Sequence, residues 1–340
     1  MRILYRVGIV GATGYTGAEL IRILNAHPKV RVTKVYSRTY AGSSLSEIFP
    51  GFTGLELNFL DPETDDFADL DLLFLAVPAG VAAKYAQRFA GKVIDLGADF
   101  RFQDQELYET VYGQKHLAPE LLGEAVYGLP ELFRQEIKES RIIGNPGCFP
   151  TSITLGVAPL IQYGYEGEIV VASLSGTSGA GKGLSDAQHF AHRHENFGPY
   201  KVGNHRHVPE IESVIYRYAK KHCEIVFVPH LVPAIRGIVS TIYLDKIVSL
   251  NEARKLYEEF YADEYFVRVR KPNETIESKD VVLSNFVDIQ IYEDSHVDKL
   301  IVVSTIDNLI KGASGQAVQN MNILLDIPEE TALESLPVYP

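Results

Sequence analysis

The segment Tyr5–Val10 is a short apolar run that ends in Gly11-Ala-Thr-Gly14-Tyr-Thr-Gly17, after which Leu20, Ile21, Ile23 and Leu24 recur at helical spacing. A strand, a glycine turn and a helix in that order leave few folds open. The turn must bend tightly and let the helix pack against the strand, and glycine meets both needs. Asn25 and Pro28 close the helix, and a second strand follows over residues 30–37. Residues 70–78 and 92–99 read as further strands with a helical stretch between them. This alternation, over about the first 145 residues, predicts a Rossmann-type, doubly wound parallel sheet.

Past Cys148 the texture changes. Longer β-branched runs at 166–176, 224–244, 281–294 and 298–307 predict an α+β domain with a large mixed, mostly antiparallel sheet. The stretch 311–327 returns to helical spacing through Ala317, Val318, Met321, Leu324 and Leu325. The expected division is therefore 1–147 with 312–340 as one domain and 148–311 as the other.

Bulk properties narrow the setting. Forty-four acidic against 32 basic residues give a formal net charge of −12, which disfavours nonspecific attraction to nucleic acid or anionic membrane. No apolar run approaches the ~20 residues of a membrane span, and the first strand begins too early to leave room for a signal peptide. Two cysteines cannot build a disulfide framework in 340 residues, so a reducing, cytoplasmic setting is expected.

Between strand and helix, the glycine turn presents backbone amides and a helix N-terminus to an anion, which suits the pyrophosphate of a dinucleotide. Gly11, Thr13, Gly14, Tyr15, Thr16 and Gly17 are the expected contacts, joined by Pro78 after the 70–78 strand. An NAD site usually places an acid at the end of the second strand; here Ser37 and Arg38 stand there. A hydroxyl and a guanidinium suit a 2′-phosphate, so NADP is expected. A second small-residue loop, 173–183, offers Ser178, Gly179 and Gly181 to a cofactor or phosphate, with Lys182 beside them.

Cys148 lies in Gly144-Asn-Pro-Gly-Cys-Phe-Pro-Thr151, a turn rigidified by two prolines. A helix from Pro150 onward would put the thiol at or just before its N-terminus, where the thiolate is favoured. Cys223 opens an apolar strand and reads as a packing residue. A thiol nucleophile needs an acid/base partner. His205 and His207 fall on one side of an apparently extended segment with Arg206 opposite, and Glu210 follows, able to orient an imidazole or bind substrate. The His-x-His spacing also suits zinc, but no third ligand stands out, so no metal is expected.

Together the glycine turn, GNPGCFPT, SGTSGAG, HRHVPEI and DNLIKGASGQAVQNMN resemble the N-acetyl-γ-glutamyl-phosphate reductase family, over essentially the whole chain. The resemblance implies NADPH-dependent conversion of an acyl phosphate to a semialdehyde in arginine biosynthesis, on the architecture of aspartate-semialdehyde dehydrogenase. It implies Cys148 as nucleophile and His205 as acid/base, with His207 and Glu210 lining the site. Arg101 in DLGADFR and Arg236 in PAIRG would contact substrate, and Asn308 and Gln316 would lie near the nicotinamide. Phe149 and Val208 depart from the tyrosine and threonine frequent in the family and spare every proposed catalytic atom. A homologous reductase of carrier-linked aminoadipyl phosphate, an aspartate-semialdehyde dehydrogenase and a non-catalytic NADP sensor are the alternatives. A homodimer or homotetramer is expected from the apolar strands of the second domain.

Overall fold

The computed structural model describes residues 4–339. It has two compact units: one runs to Pro146 and takes in Ala313–Leu333, the other comprises Gly147–Gly312 and the segment from Glu334. That last segment was expected in the first unit. It belongs to the second because Tyr339 Oη donates to Asp280 at 2.7 Å and the Val338 N–H to the Val282 carbonyl at 3.4 Å.

The first unit runs β1 (Tyr5–Val10), α1 (Tyr15–Asn25), β2 (Val30–Tyr36), α2 (Leu45–Ile48), β3 (Phe59–Leu60), β4 (Leu72–Leu75), α3 (Ala82–Arg88), β5 (Lys92–Asp95), α4 (Gln105–Tyr112), β6 (Ala125–Tyr127), α5 (Pro130–Glu139) and β7 (Ile142–Gly144). Its strands form one parallel sheet in the order β3-β2-β1-β4-β5-β7-β6. Strand order reverses direction between β1 and β4, the point at which doubly wound sheets bind ligands. The β1–α1 turn is closed to side chains. Gly11 sits at φ +81°, and a Cβ there would lie 2.1 Å from the Ala76 carbonyl oxygen. A Cβ on Gly17 would meet the Ala12 Cα at 2.6 Å.

The second unit runs α6 (Cys148–Tyr163), β8 (Ile169–Ser175), α7 (Phe190–Arg193), β9 (Gly198–Pro199), α8 (His207–Ala219), β10 (Ile225–Leu231), β11 (Ile238–Asp245), α9 (Leu250–Phe260), β12 (Val267–Val269), β13 (Val287–Asp294) and β14 (Lys299–Ile306). These strands make a mixed sheet in the order β12-β13-β14-β11-β8-β10-β9, antiparallel except at β12–β13 and β8–β10. A π turn, Ile310–Ser314, leads into α10 (Gly315–Leu324), which completes the first unit. There Asn320 Nδ2 donates to the Gly128 carbonyl at 2.8 Å and the His27 ring bonds Asn322 at 3.0 Å.

Helix α6 is seated on the sheet with little freedom. A Cβ on Gly156 would lie 2.5 Å from Ile242 Cδ1, so the helix approaches β11 closely. Ser152 Oγ donates to Ser240 Oγ at 3.0 Å, and Ser240 bonds Ser173 at 2.8 Å, all three buried. Pro159 brings no N–H to the Leu155 carbonyl one turn back. The Tyr261 hydroxyl on the loop after α9 donates to that carbonyl instead, so the orphan acceptor is satisfied.

Candidate active site

Cys148 is the first residue of α6, with Gly147 as N-cap in extended backbone. The helix therefore begins two residues earlier than Pro150, and the thiol stands at the positive end of the helix dipole. Two neighbours fix this turn. The fully buried Glu210 carboxylate accepts the Gly147 N–H at 2.8 Å. Gly312 backs the cysteine so closely that a Cβ there would lie 2.8 Å from Cys148 Cβ. Glu210 thus holds the backbone next to the Cys148 thiol.

The histidines come from a helix start, not from an extended segment. Arg206 has helical backbone angles and α8 begins at His207. The alternation in His-Arg-His imitates a strand, but Pro209, then Ile211, Val214 and Ile215 at helical spacing, mark the helix. Arg206 lines the same pocket as both histidines. The His205 and His207 rings are 4.7 Å apart, and Phe149, Tyr200 and Phe227 pack on His205 at 5.6, 5.7 and 5.3 Å. Burial in this aromatic cage, then the charges of Lys201 and Arg206, hold the His205 imidazole down to about 4. It is neutral near pH 7. Its Nδ1 accepts the His207 backbone N–H at 3.2 Å, which puts the ring proton on Nε2. Burial, then the charge of Cys148, push the Tyr200 phenol upward.

The sign of the His205 shift gives an acid-stability prediction. Its folded value lies below the ordinary 6.5, so the folded state binds fewer protons and stability falls as pH drops from about 6.5 to about 4. The loss attributable to this ring reaches about 3 kcal/mol. A His205→Gln variant is expected to show a shallower fall in Tm between pH 7 and pH 4.5 than the parent, followed by circular dichroism.

Cys148, His205 and His207 line a pocket of about 580 Å³. Arg193, Lys201 and Arg206 also line it, and among the described residues no carboxylate does. In a chain of net charge −12 this is a local reversal of sign suited to an anionic ligand. Gly179 contributes to the wall; Ser178 Oγ accepts from Asn308 Nδ2 at 2.9 Å, while Asn308 Oδ1 accepts the Gly237 N–H at 2.8 Å. Both ends of the Asn308 amide are thus used inside the second unit. Arg236 pairs with the buried Asp307 at 3.4 Å. Gly181 lies at φ +82° at the end of the same loop, and Lys182 is exposed.

In the first unit, no side chain caps α1, whose N-cap is Gly14; Thr13 and Thr16 are half-buried and Tyr15 is exposed. Ser314 Oγ donates to the Thr16 carbonyl at 2.9 Å, which sets the start of α10 beside the glycine turn. Two residues on, Gln316 is fully buried with neither amide atom bonded to protein. Ser37 ends β2 buried, with Arg38 exposed after it, and Pro78 is exposed beyond β4. Arg101 Nε donates to the Asn145 carbonyl at 2.9 Å, and its charge draws Asp95 down against burial and the nearby Asp99, which together raise it. Sequence reasoning had no signal for the Tyr200 and Phe227 cage or for Gly312, since these contacts are made only by folding.

A parallel dinucleotide-type unit and a mixed-sheet unit with a cysteine at a helix start fit the semialdehyde dehydrogenase class. Residues 6–140 match the family "Semialdehyde dehydrogenase, NAD binding domain" and residues 148–308 the family "Semialdehyde dehydrogenase, dimerisation domain". Solved aspartate semialdehyde dehydrogenases share the fold: Vibrio cholerae enzyme II at TM-score 0.74 and 16% identity, covering 95% of this chain and 98% of that one, and the Candida albicans enzyme with NADP at TM-score 0.73 and 18%, covering the same shares. The N-acetyl-gamma-glutamyl-phosphate reductases of Pseudothermotoga lettingae and Clostridium kluyveri are 47% and 43% identical, each over 98% of this chain and 99% of the relative. The chain belongs to the N-acetyl-γ-glutamyl-phosphate reductase family. It is an oxidoreductase that uses a nicotinamide cofactor, and among the described residues no helix is long and apolar enough to cross a membrane.

Proposed function

We propose that the protein reduces N-acetyl-γ-glutamyl phosphate to N-acetylglutamate 5-semialdehyde with NADPH, releasing phosphate, as a cytoplasmic step of arginine biosynthesis. The observation that carries this reading is a thiol at a helix N-terminus in a cation-lined pocket without carboxylates. An acyl phosphate is a small polyanion with an electrophilic carbonyl, and that pocket suits both properties.

The first-unit residues fit a dinucleotide: an uncapped α1 N-terminus for the pyrophosphate, Arg38 with Ser37 for a 2′-phosphate, and the unbonded Gln316 amide for the carboxamide end. Thr13, Tyr15, Thr16 and Pro78 would complete that cradle; within the second unit, the small-residue loop of Ser178, Gly179 and Gly181 offers backbone to an anion. When bound, the reduced nicotinamide supplies hydride. In the first half-reaction Cys148 Sγ attacks the acyl carbon, the C–O bond to phosphate breaks, and the thiol proton leaves with the phosphate. The thioester carbon, once reduced, bears an alkoxide. His205 Nε2–H donates to that oxygen, as a neutral hydrogen-bond donor. Collapse of the thiohemiacetal frees the aldehyde and returns the Cys148 thiolate, which takes a proton from solvent. Arg101 and Arg236 would orient substrate anions, with His207 and Glu210 around the reacting end.

The test runs the reaction in reverse, with N-acetylglutamate semialdehyde, phosphate and NADP, following NADPH absorbance. Phosphate-dependent NADPH formation is expected; silence from folded protein that binds NADP would sink the assignment. For cofactor choice, Arg38→Ala is expected to raise the KM for NADP roughly tenfold or more, the worth of one charge-assisted contact, while the KM for NAD stays within twofold. Self-association is supported by the half-exposed sheet face of Leu174, Val226, Tyr243 and Tyr292. A dimer or tetramer is expected by light scattering, and a monomeric mass at micromolar concentration would exclude it.

A further inference from the structure

We propose that Asp307 is the positioning residue of this site, setting at once the Arg236 guanidinium and the wall behind Cys148. The inference rests on the acyl-phosphate reading above. Asp307 follows β14 and is fully buried. Its Oδ1 accepts the Leu309 and Ile310 N–H groups at 2.8 and 3.1 Å, and its Oδ2 accepts Leu283 N–H at 2.8 Å. Arg236 Nη1 lies 3.4 Å from Oδ2. The Asp307 main-chain carbonyl accepts the Gly312 N–H at 2.9 Å, which closes the turn that presses on Cys148.

One residue therefore orders two things: its carboxylate meets Arg236 and caps the turn at Leu309 and Ile310, and its carbonyl holds Gly312. Gly312 can sit against the cysteine only if the turn that Asp307 caps is held. The Arg236 side chain, about one-fifth exposed, has its direction set by an anion with no exposure at all. The strip that carries Arg236 is laced to the pocket wall: Thr177 N–H donates to the Ala234 carbonyl at 2.9 Å and Ser178 N–H to the Ile235 carbonyl at 3.1 Å. An asparagine in place of Asp307 would keep one acceptor oxygen for Leu309 and Ile310. Its amide would turn a donor toward Leu283 N–H and Arg236, which are donors themselves.

The experiment compares Asp307→Asn, Arg236→Met and the double variant in the reverse assay. Asp307→Asn is expected to raise the KM for phosphate or semialdehyde, whichever anion Arg236 takes, at least tenfold. The KM for NADP should stay unchanged. The double variant should be no worse than Arg236→Met alone, because one residue acts through the other. Multiplying effects, or wild-type constants in folded Asp307→Asn, would overturn the proposal. If Asp307→Asn does not fold, Arg236→Met decides: wild-type KM values there overturn it, and a tenfold rise supports it. If the parent itself is silent, the substrate assignment fails separately. Iodoacetamide labelling of Asp307→Ala, which removes the side-chain acceptor of the Leu309 and Ile310 N–H groups, then reads the wall directly: Cys148 alkylation at least threefold faster than in the parent supports the inference, and an unchanged rate in folded protein overturns it.

Discussion

Cys148→Ser is expected to lower phosphate-dependent NADPH formation by roughly 10⁴-fold or more, the scale seen when a nucleophile is removed from a working site. A serine hydroxyl fits the space, so neither the turn nor the helix start should change. It cannot match the thiol because its proton is held far more tightly; the α6 dipole favours a thiolate but cannot produce an alkoxide near pH 7. NADP affinity, measured by fluorescence titration, should be that of the parent, because the glycine turn and Arg38 belong to the first unit. A variant that keeps more than a tenth of the parent rate would place the covalent step elsewhere. Loss of NADP binding together with activity would mean that the substitution had damaged the fold instead.

Gly312→Ala is expected to be damaging as well, although it touches no reacting atom. A methyl group there would lie 2.8 Å from Cys148 Cβ and 3.3 Å from the Asp307 carbonyl oxygen. One of those backbones must move. The helix bearing Cys148 is seated through Gly156 and the buried serines, so the turn and the thiol share the displacement. A misplacement of about 1 Å at the reacting atom can cost on the order of 10²-fold in rate. The expected result is a kcat lower by about that factor, with a KM for NADP within twofold of the parent. Overpacking should also lower stability by about 1–3 kcal/mol, read from urea unfolding. A fully active, equally stable variant would show that the turn yields without moving the cysteine.

Much of this was legible in the chain. The β1–α1 turn announced itself because its constraints are local: Gly11 and Gly17 lie against Ala76 and Ala12, neighbours that any βα unit supplies. Cys148 was visible for a similar reason, since the helix that activates it begins at the residue itself. The histidine segment was misread as extended because a strand and the entry to a helix both allow alternation over three residues. Only the apolar spacing after Glu210 separates them. Gly312 and Asp307 were not legible at all. Their roles depend on residues distant in sequence, Cys148 for one and Arg236 with Leu283 for the other, and no local pattern records such pairings. Asn308 and Glu210 were expected to face cofactor and substrate, and in the structure both bond to backbone or side chains of the protein itself.

The return of the chain through α10 has a consequence for synthesis. Most of the second unit is one stretch, Gly147–Gly312, whereas the first lacks Ala313–Leu333 until the whole of that stretch has been made. A growing chain that has just emerged through Gly312 already contains the segments of the catalytic sheet. Its parallel sheet, made first, still waits for the helix that brings Asn320 to Gly128 and Asn322 to His27. The sheet of the thiol-bearing unit can thus form before the parallel sheet has received its last helix, while the segment from Glu334 joins the second unit later still.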